Sequence, residues 1–202
     1  MARTVDPQRT AQRRSAITHA AATLFAEQGF ERTSAAQIAR ATGLSSGSVF
    51  YYFPDKAAVF RSIFEQSIPE HTALVSGHID RTDCLDAVLD LVETLAGESL
   101  DPVAPGLMVE LLRRIDQDPE LAQVVAEDAR ISTDAVTTLL ARGIALGQID
   151  RALAPEETAR WILSIVDAAF LNADPDEPHD PRPLLRRTVS RLLQPNRTEN
   201  PT

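Results

Sequence analysis

Along residues 10–28 the apolar positions Ile17, Ala20, Ala21, Leu24 and Phe25 recur at helical spacing. The pattern predicts a helix that starts near Thr10 and stops at Gly29, with Phe30 folding back as the apolar partner of the stop. Residues 1–9, basic and without period, read as a flexible arm. A short helix, 35–41, follows behind Thr33 or Ser34 as N-cap, turning Ile38 and Ala39 inward. Gly43 ends it, Leu44 plugs the turn, and Ser45 opens a third helix that Pro54 must terminate. On that helix Val49 and Phe53 share one face; Gly47, Ser48 and Tyr51 lie opposite, with Phe50 and Tyr52 on the flanks. Asp55 caps the next helix, from Lys56 to about Ser76, kinked at Pro69. Further helical patterns span about 82–97, 106–116, 118–146, 154–171 and 184–193. The acidic, proline-rich stretch NADPDEPHDPRP reads as a loop.

The whole is an all-α chain of about nine helices, with a three-helix region, residues 1–55, distinct from a larger helical body, 56–193, and a flexible tail, 194–202. No apolar run approaches a membrane span and no signal-peptide pattern opens the chain. The single cysteine, Cys84, fits a reducing interior, so the expected location is cytoplasmic without membrane attachment.

Charge divides the chain. Its net charge is −9, yet residues 1–61 carry eight Lys/Arg against four Asp/Glu, and the remainder twelve against twenty-five. Only the head suits a polyanion.

The third helix holds the most distinctive string, GLSSGSVFYYFPDK. Four of the chain's ten aromatics stand at consecutive positions 50–53 beside three serines and a glycine. Two helices joined by a glycine-bearing turn form a helix-turn-helix unit, whose second helix enters the major groove. Small residues there let backbone approach DNA, hydroxyls reach phosphates or base edges, and exposed rings pack on thymine methyls and sugars. Gly47, Ser48 and Tyr51 carry that reading directly, Phe53 reads as core, and Phe50 suits either role. Helix starts at Ser34, Ser45 and Asp55, with Lys56 beside the last, add phosphate donors.

Residues 24–60, LFAEQGFERTSAAQIARATGLSSGSVFYYFPDKAAVF, closely resemble the DNA-binding region of the TetR family of one-component transcriptional regulators. The shared pattern is Phe-x-x-x-Gly-Phe, Thr-Ser, Ile-Ala, then Gly-Leu-Ser-x-Gly-x-Val-Phe-x-Tyr-Phe-x-x-Lys. It spans about a quarter of the chain. The resemblance implies DNA contact by Thr33, Ser34, Ser45, Ser46, Gly47, Ser48, Tyr51, Tyr52 and Lys56, with Arg13 and Arg14 as further phosphate candidates. Val49-Phe50 stands where the family has Leu-Tyr, so Phe50 offers a ring but no hydroxyl.

The resemblance also implies a small-molecule effector, of unknown identity, bound inside the helical body. Composition points to Phe64, Leu107, Met108, Leu111, Leu112, Val125 and Trp161 as an apolar lining for a hydrophobic or amphipathic effector, with Glu110, Arg113 and Arg114 either lending polarity or facing water. Reading a two-fold, palindromic operator on double-stranded DNA requires a homodimer. Trp161, Ile162, Ile165, Val166, Ala169 and Phe170, with Leu185, Val189, Leu192 and Leu193, present more apolar surface than one buried face needs and predict a four-helix dimer interface.

The expected function is a repressor released from its operator by the effector. A constitutive or activating DNA-binding dimer and a helical enzyme or carrier that has lost DNA binding are the alternatives. Chemistry is poorly provided for: His19, His71, His78 and His179 fall into no recognised catalytic pattern. His71 and His78, seven residues apart near Asp80 and Cys84, read as solvated helix-end histidines rather than a metal site, and no cofactor is expected.

Overall fold

The structure is a computed structural model and describes residues 6–174, 177 and 179–195. Among these it contains nine α-helices, two short 3-10 turns and no strand: α1 Pro7–Gln28, α2 Ala35–Ala41, α3 Ser46–Tyr52, α4 Lys56–Ile79, α5 Cys84–Gly97, α6 Ala104–Arg114, α7 Pro119–Ala145, α8 Pro155–Leu171 and α9 Arg182–Leu193, with the turns at Glu98–Leu100 and Ile115–Gln117.

The first helix begins earlier than its apolar period. Asp6 caps it, its carboxylate accepting the Gln8 N–H at 3.0 Å, and Pro7 takes the first helical position, where its missing N–H costs nothing. Residues 7–9 of the expected arm are therefore the first turn of α1; residues 1–5 lie outside the described residues, as do parts of the 172–183 loop and most of the expected tail. Behind α2, Ser34 and Gln37 form a reciprocal cap, each side chain bonded to the other's backbone N–H. Asp118 caps α7 by accepting the Leu121 N–H at 3.0 Å. α4 runs three residues beyond its predicted end, and Pro69 lies within it on an exposed position. α9 starts two residues early because Pro183 fits its first turn.

The chain divides into two compact units. The first joins residues up to Ser67 with Pro105–Val125; the second joins Ile68–Ala104 with the chain from Ala126 onward. Both α4 and α7 pass from one unit into the other, and the boundary in α4 falls one residue before Pro69.

The first unit is built on phenylalanine. Phe25, Phe30 and Phe60 are mutually in contact, with ring centroids 5.3–5.6 Å apart, and Phe64 lies 5.3 Å from Phe60. Phe25 and Phe30 are stacked, whereas Phe60 meets its three neighbours edge to face; both arrangements add to the area term. Ile17, Ala21, Ile38, Val49, Phe53, Val59, Leu111 and Leu121 complete the core. Gly29, at φ 85°, turns the chain so that Phe30 returns onto Phe25, a backbone angle that only glycine takes without strain. A buried polar thread fastens α1 to α4: the Thr18 and Ser62 hydroxyls lie 2.8 Å apart, and the Ser62 hydroxyl reaches the Val59 carbonyl at 2.7 Å.

The second unit surrounds α5, whose Cys84, Ala87, Val88, Leu89, Leu91, Val92, Leu95 and Ala96 are all buried. α7 supplies Ala135, Val136, Leu139 and Leu140; α8 supplies Ala159, Ile162 and Val166; α9 supplies Leu185, Val189 and Leu193. At its edge Arg186 of α9 reaches Asp90 at 2.9 Å and Glu93 at 2.6 Å on α5. Each such half-exposed pair contributes little stability, but the set fixes register between the two helices.

Candidate nucleic-acid interface

Helix α3 displays the two-faced arrangement that its sequence encodes. Val49 and Phe53 are 1% exposed within the first core, whereas Phe50 is 51% and Tyr51 69% exposed. Ser45 caps the helix, its hydroxyl accepting the Ser48 N–H at 3.1 Å and lying 2.9 Å from the Ser48 hydroxyl. Ser45 and Gly47 face solvent; Ser46, Ser48 and Tyr52 are half-buried. A Cβ at Gly47 would meet nothing closer than the Ser45 hydroxyl, 3.9 Å away, so no packing demand inside the chain calls for glycine there. The Tyr51 and Tyr52 rings meet edge-on at 5.1 Å, which holds the outer ring against its neighbour. The turn before α3 passes through Gly43 at φ 67°, with the Leu44 N–H donating to the Ala39 carbonyl at 2.8 Å. That turn sets the angle between α2 and α3.

Three other candidates are engaged inside the protein. Thr33 is 1% exposed; its hydroxyl donates to the Gly29 carbonyl at 2.8 Å and accepts from the Gln28 amide at 3.2 Å. The residue that resemblance assigned to DNA is a strut of the α1–α2 turn, and the exposed hydroxyl beside it is Ser34. Arg14 donates to the Tyr52 carbonyl at the end of α3, with its guanidinium 4.2 Å from the centre of the Phe53 ring. It therefore braces the C-terminal end of α3 against α1, and Arg13 next to it is half-buried. Lys56 is not a freely mobile cation: its ammonium donates to the Phe30 carbonyl at 2.7 Å and sits 4.2 Å from the Phe30 ring centre. Asp55 caps α4 by accepting the Ala58 N–H at 2.7 Å.

The residues expected to line an apolar effector site divide between the two units, with Trp161 alone in the second. Phe64, Leu107, Met108, Leu111 and Val125 pack into the phenylalanine core of the first unit; Leu112 is 53% exposed on α6 and Trp161 65% exposed on α8. Helical period alone groups apolar residues without saying which core each one joins. The structure instead has an open cleft of about 530 Å³ in the first unit, bordered by Gln28, Arg32, Glu110, Arg113 and Arg114. A second, of about 720 Å³, lies in the second unit beside Asp90, Glu93, Glu98 and Arg182. Both are polar at their rims, and none of the seven predicted residues lines either one.

Of the residues expected between two copies, Ile162, Val166, Leu185, Val189 and Leu193 are buried within the chain's own second core, so they have no surface left to offer a partner. Ile165, Ala169 and Phe170 are half-buried, and Trp161 and Leu192 are exposed. Leu171 and Leu184 add exposed apolar surface on the same two helices. The outward apolar strip is narrower than the pattern implied and includes leucines that the pattern left out.

Sequence reading missed three long-range partners. Glu110 of α6 is buried and accepts the Phe30 N–H at 2.9 Å and the Arg113 guanidinium at 2.6 Å. Arg114 lies 3.4 Å from the Phe30 ring centre. His71 is not a solvated helix-end residue: it stands within α4, 2.6 Å from Asp128 and 2.8 Å from Ser132 of α7. No group of three or more metal-ligating side chains suited to an ion occurs among the described residues. Nor is any helix of the described residues long and apolar enough to cross a membrane.

Comparison with known proteins agrees with the geometry of α1–α4. Residues 17–63 match the family model described as bacterial regulatory proteins, tetR family. The HTH-type transcriptional repressor Rv1474c of Mycobacterium tuberculosis is 27% identical over 156 residues, covering 77% of this chain and 79% of that protein. The HTH-type transcriptional repressor AcnR of Corynebacterium efficiens is 26% identical over 162 residues, 79% of this chain and 80% of that one. Among solved structures, the TetR family transcriptional regulator PfmR from Thermus thermophilus superposes with a TM-score of 0.75 at 23% identity, over 88% of this chain and 96% of that one. Residues 17–63 thus match the DNA-binding region of the tetR family, and over about four fifths of its length the chain is similar to DNA-binding transcriptional repressors.

Proposed function

We propose that the protein is a homodimeric repressor that reads a two-fold operator with α3 and is released by a small molecule acting on its second unit. The observation that carries the reading is the division of α3 into a buried Val49–Phe53 edge and an outward face of Ser45, Gly47, Phe50 and Tyr51. A ring as exposed as Tyr51 has no role in holding this fold, and a ring flanked by hydroxyls suits the sugar–phosphate wall and methyl groups of a major groove. Ser46, Ser48, Tyr52 and Ser34 lie close enough along the same short helices to add contacts as the face docks. Repression, rather than activation, is favoured by the names of the relatives from Mycobacterium and Corynebacterium, both transcriptional repressors.

Two copies join through the outward strip of α8 and α9, where Trp161 and Leu184 are 65% and 71% exposed. An effector that binds the DNA-free form more tightly displaces α4, the helix that runs through both units, and changes the separation of the two heads.

Mapping the binding sites across the genome supplies the operator duplex. Titration of that duplex then tests the reading: Tyr51→Ala should leave thermal stability within about 0.5 kcal/mol and weaken binding at least about tenfold. Affinity should fall steeply as salt rises, because phosphate contacts dominate it. Unchanged affinity in Tyr51→Ala, or binding indifferent to salt, would refute the proposed face.

A further inference from the structure

Three side chains in the second unit form an array that the DNA-binding reading does not use. His71 of α4 lies with Nδ1 2.6 Å from the Asp128 carboxylate and Nε2 2.8 Å from the Ser132 hydroxyl, both on α7. Asp128 and Ser132 are four residues apart and so share one face of that helix. Serine, histidine and aspartate in this order resemble a hydrolytic relay, but the surroundings do not. Ser132 is 6% exposed and sits midway along a 27-residue helix, whose N–H groups are taken up by the helix itself. Neither an approach for a substrate nor a pair of free donors for an oxyanion exists there.

What the array does provide is a titratable cross-link between two helices. The charged groups acting on His71 are Asp128 from α7 and Glu98 from the turn that follows α5. Charged, the imidazolium donates from both nitrogens, to Asp128 and to Ser132, and stands as a cation close to two carboxylates. Neutral, it retains a donor for Asp128 and accepts from Ser132, but the attraction of its charge to Asp128 and Glu98 is gone. The hydrogen bond to Asp128 holds the imidazole above its ordinary 6.5, against the opposing effect of burial, with the charges of Asp128 and Glu98 adding to the rise. Loss of solvent pushes the Glu98 carboxyl up, the charge of His71 draws it down and that of Asp128 raises it further, so the charge states of His71 and Glu98 are linked.

We infer that His71, Asp128 and Ser132 form a proton-operated latch, closed between the second half of α4 and α7 when His71 is charged and loosened when it is neutral. The sign follows from linkage. A histidine whose folded value exceeds its unfolded value stabilises the fold fully below about pH 6.5, and that contribution disappears as pH rises through the folded value. The latch acts on α4, so its effect on DNA rests on the proposed regulator reading, whereas the titration itself does not.

Imidazole NMR of the full-length protein, with histidine labelled, tests this between about pH 5.5 and 9. The His71 resonance is identified by its loss in His71→Gln, or by elimination with His19, His78 and His179 variants should that protein not fold. His71 should titrate above the ordinary histidine value, and Asp128→Asn should lower its proton affinity by about tenfold or more. Amide exchange in α4 beyond Pro69, corrected for its intrinsic pH dependence, should quicken as wild-type His71 deprotonates and show no such step in Asp128→Asn. A His71 midpoint at or below the ordinary value, or α4 protection that follows the same pH course in both proteins, overturns the latch. Affinity for the mapped duplex should change about fivefold across the same range in wild type and stay level in Asp128→Asn. If His71 titrates as expected but the protein binds no duplex at any pH, the latch stands and the regulator reading fails.

Discussion

Thr33 and Tyr51 show how far a residue's type is from its role. Both carry a hydroxyl and both fall on family positions that imply DNA contact, yet one is 1% and the other 69% exposed. The Thr33 hydroxyl satisfies two carbonyls at the end of α1, Gly29 at 2.8 Å and Leu24 at 3.3 Å, and holds the Gln28 amide as well. Replacing it with valine keeps the shape and removes those bonds, leaving buried polar groups without partners. Thr33→Val is therefore expected to lower stability by about 1–3 kcal/mol, read from denaturant unfolding. Once folded, it should bind duplex DNA with wild-type affinity. A variant of full stability with weakened DNA binding would return Thr33 to the interface. The neighbouring Ser34 is exposed, with its hydroxyl bonded to Gln37.

At the scale of elements, local chemistry written within a few residues was legible, and chemistry between distant residues was not. Ser34 and Ser45 as caps, Gly29 and Gly43 as stops, Pro54 as terminator and the Val49–Phe53 edge all depend on neighbours in the chain, and α2 and α3 fall where those signals put them. The start of α1 was readable too, since Asp6 followed by Pro7 is a strong opening; a search keyed to apolar period passes over it. Glu110 beneath Phe30 is different, because 80 residues separate them and nothing local marks the pair. His71 and Asp128, 57 residues apart, are the same case. The apolar residues of α6 illustrate the third difficulty: their period announces a buried face but not which core receives it. The close approach of α6 to α1 gives a test at this scale. A Cβ on Gly106 would lie 2.7 Å from the Ala26 carbonyl oxygen and 2.9 Å from its Cα, backbone that cannot step aside as a side chain could. Gly106→Ala must therefore push α6 off the end of α1, straining the Glu110–Phe30 bond. A loss of about 1–3 kcal/mol is expected, despite the alanine's better helix propensity. Stabilisation in that variant would mean that the two helices are not held this closely.

For the whole molecule, charge and apolar surface are distributed between opposite tasks. Residues 1–61 carry eight Lys/Arg against four Asp/Glu and the remainder twelve against twenty-five, so of the two parts only the head is suited to a polyanion. The body has its own exposed apolar residues, and those on α8 and α9 are large: Trp161, Leu171, Leu184 and Leu192. The inward sides of the same helices are already filled by Ile162, Val166, Leu185 and Val189, so substitutions on the outward strip can be made without touching the core. That separation makes the dimer testable apart from folding. Trp161→Glu combined with Leu184→Glu places two carboxylates on each copy, four across a two-fold interface, where desolvation and like-charge repulsion both oppose association. The double variant should remain helical, unfold with a midpoint set by the monomer alone, and sediment as a monomer at concentrations where wild type is a dimer. Affinity for a full two-fold operator should drop by about a hundredfold or more, since linked binding of the second head is lost, while affinity for an isolated half-site should not change. If the double variant still sediments as a dimer, the copies meet elsewhere and the outward strip of α8 and α9 serves some other contact. If it is monomeric yet binds the full operator undiminished, the two heads act independently, and an effector could not work by changing their separation.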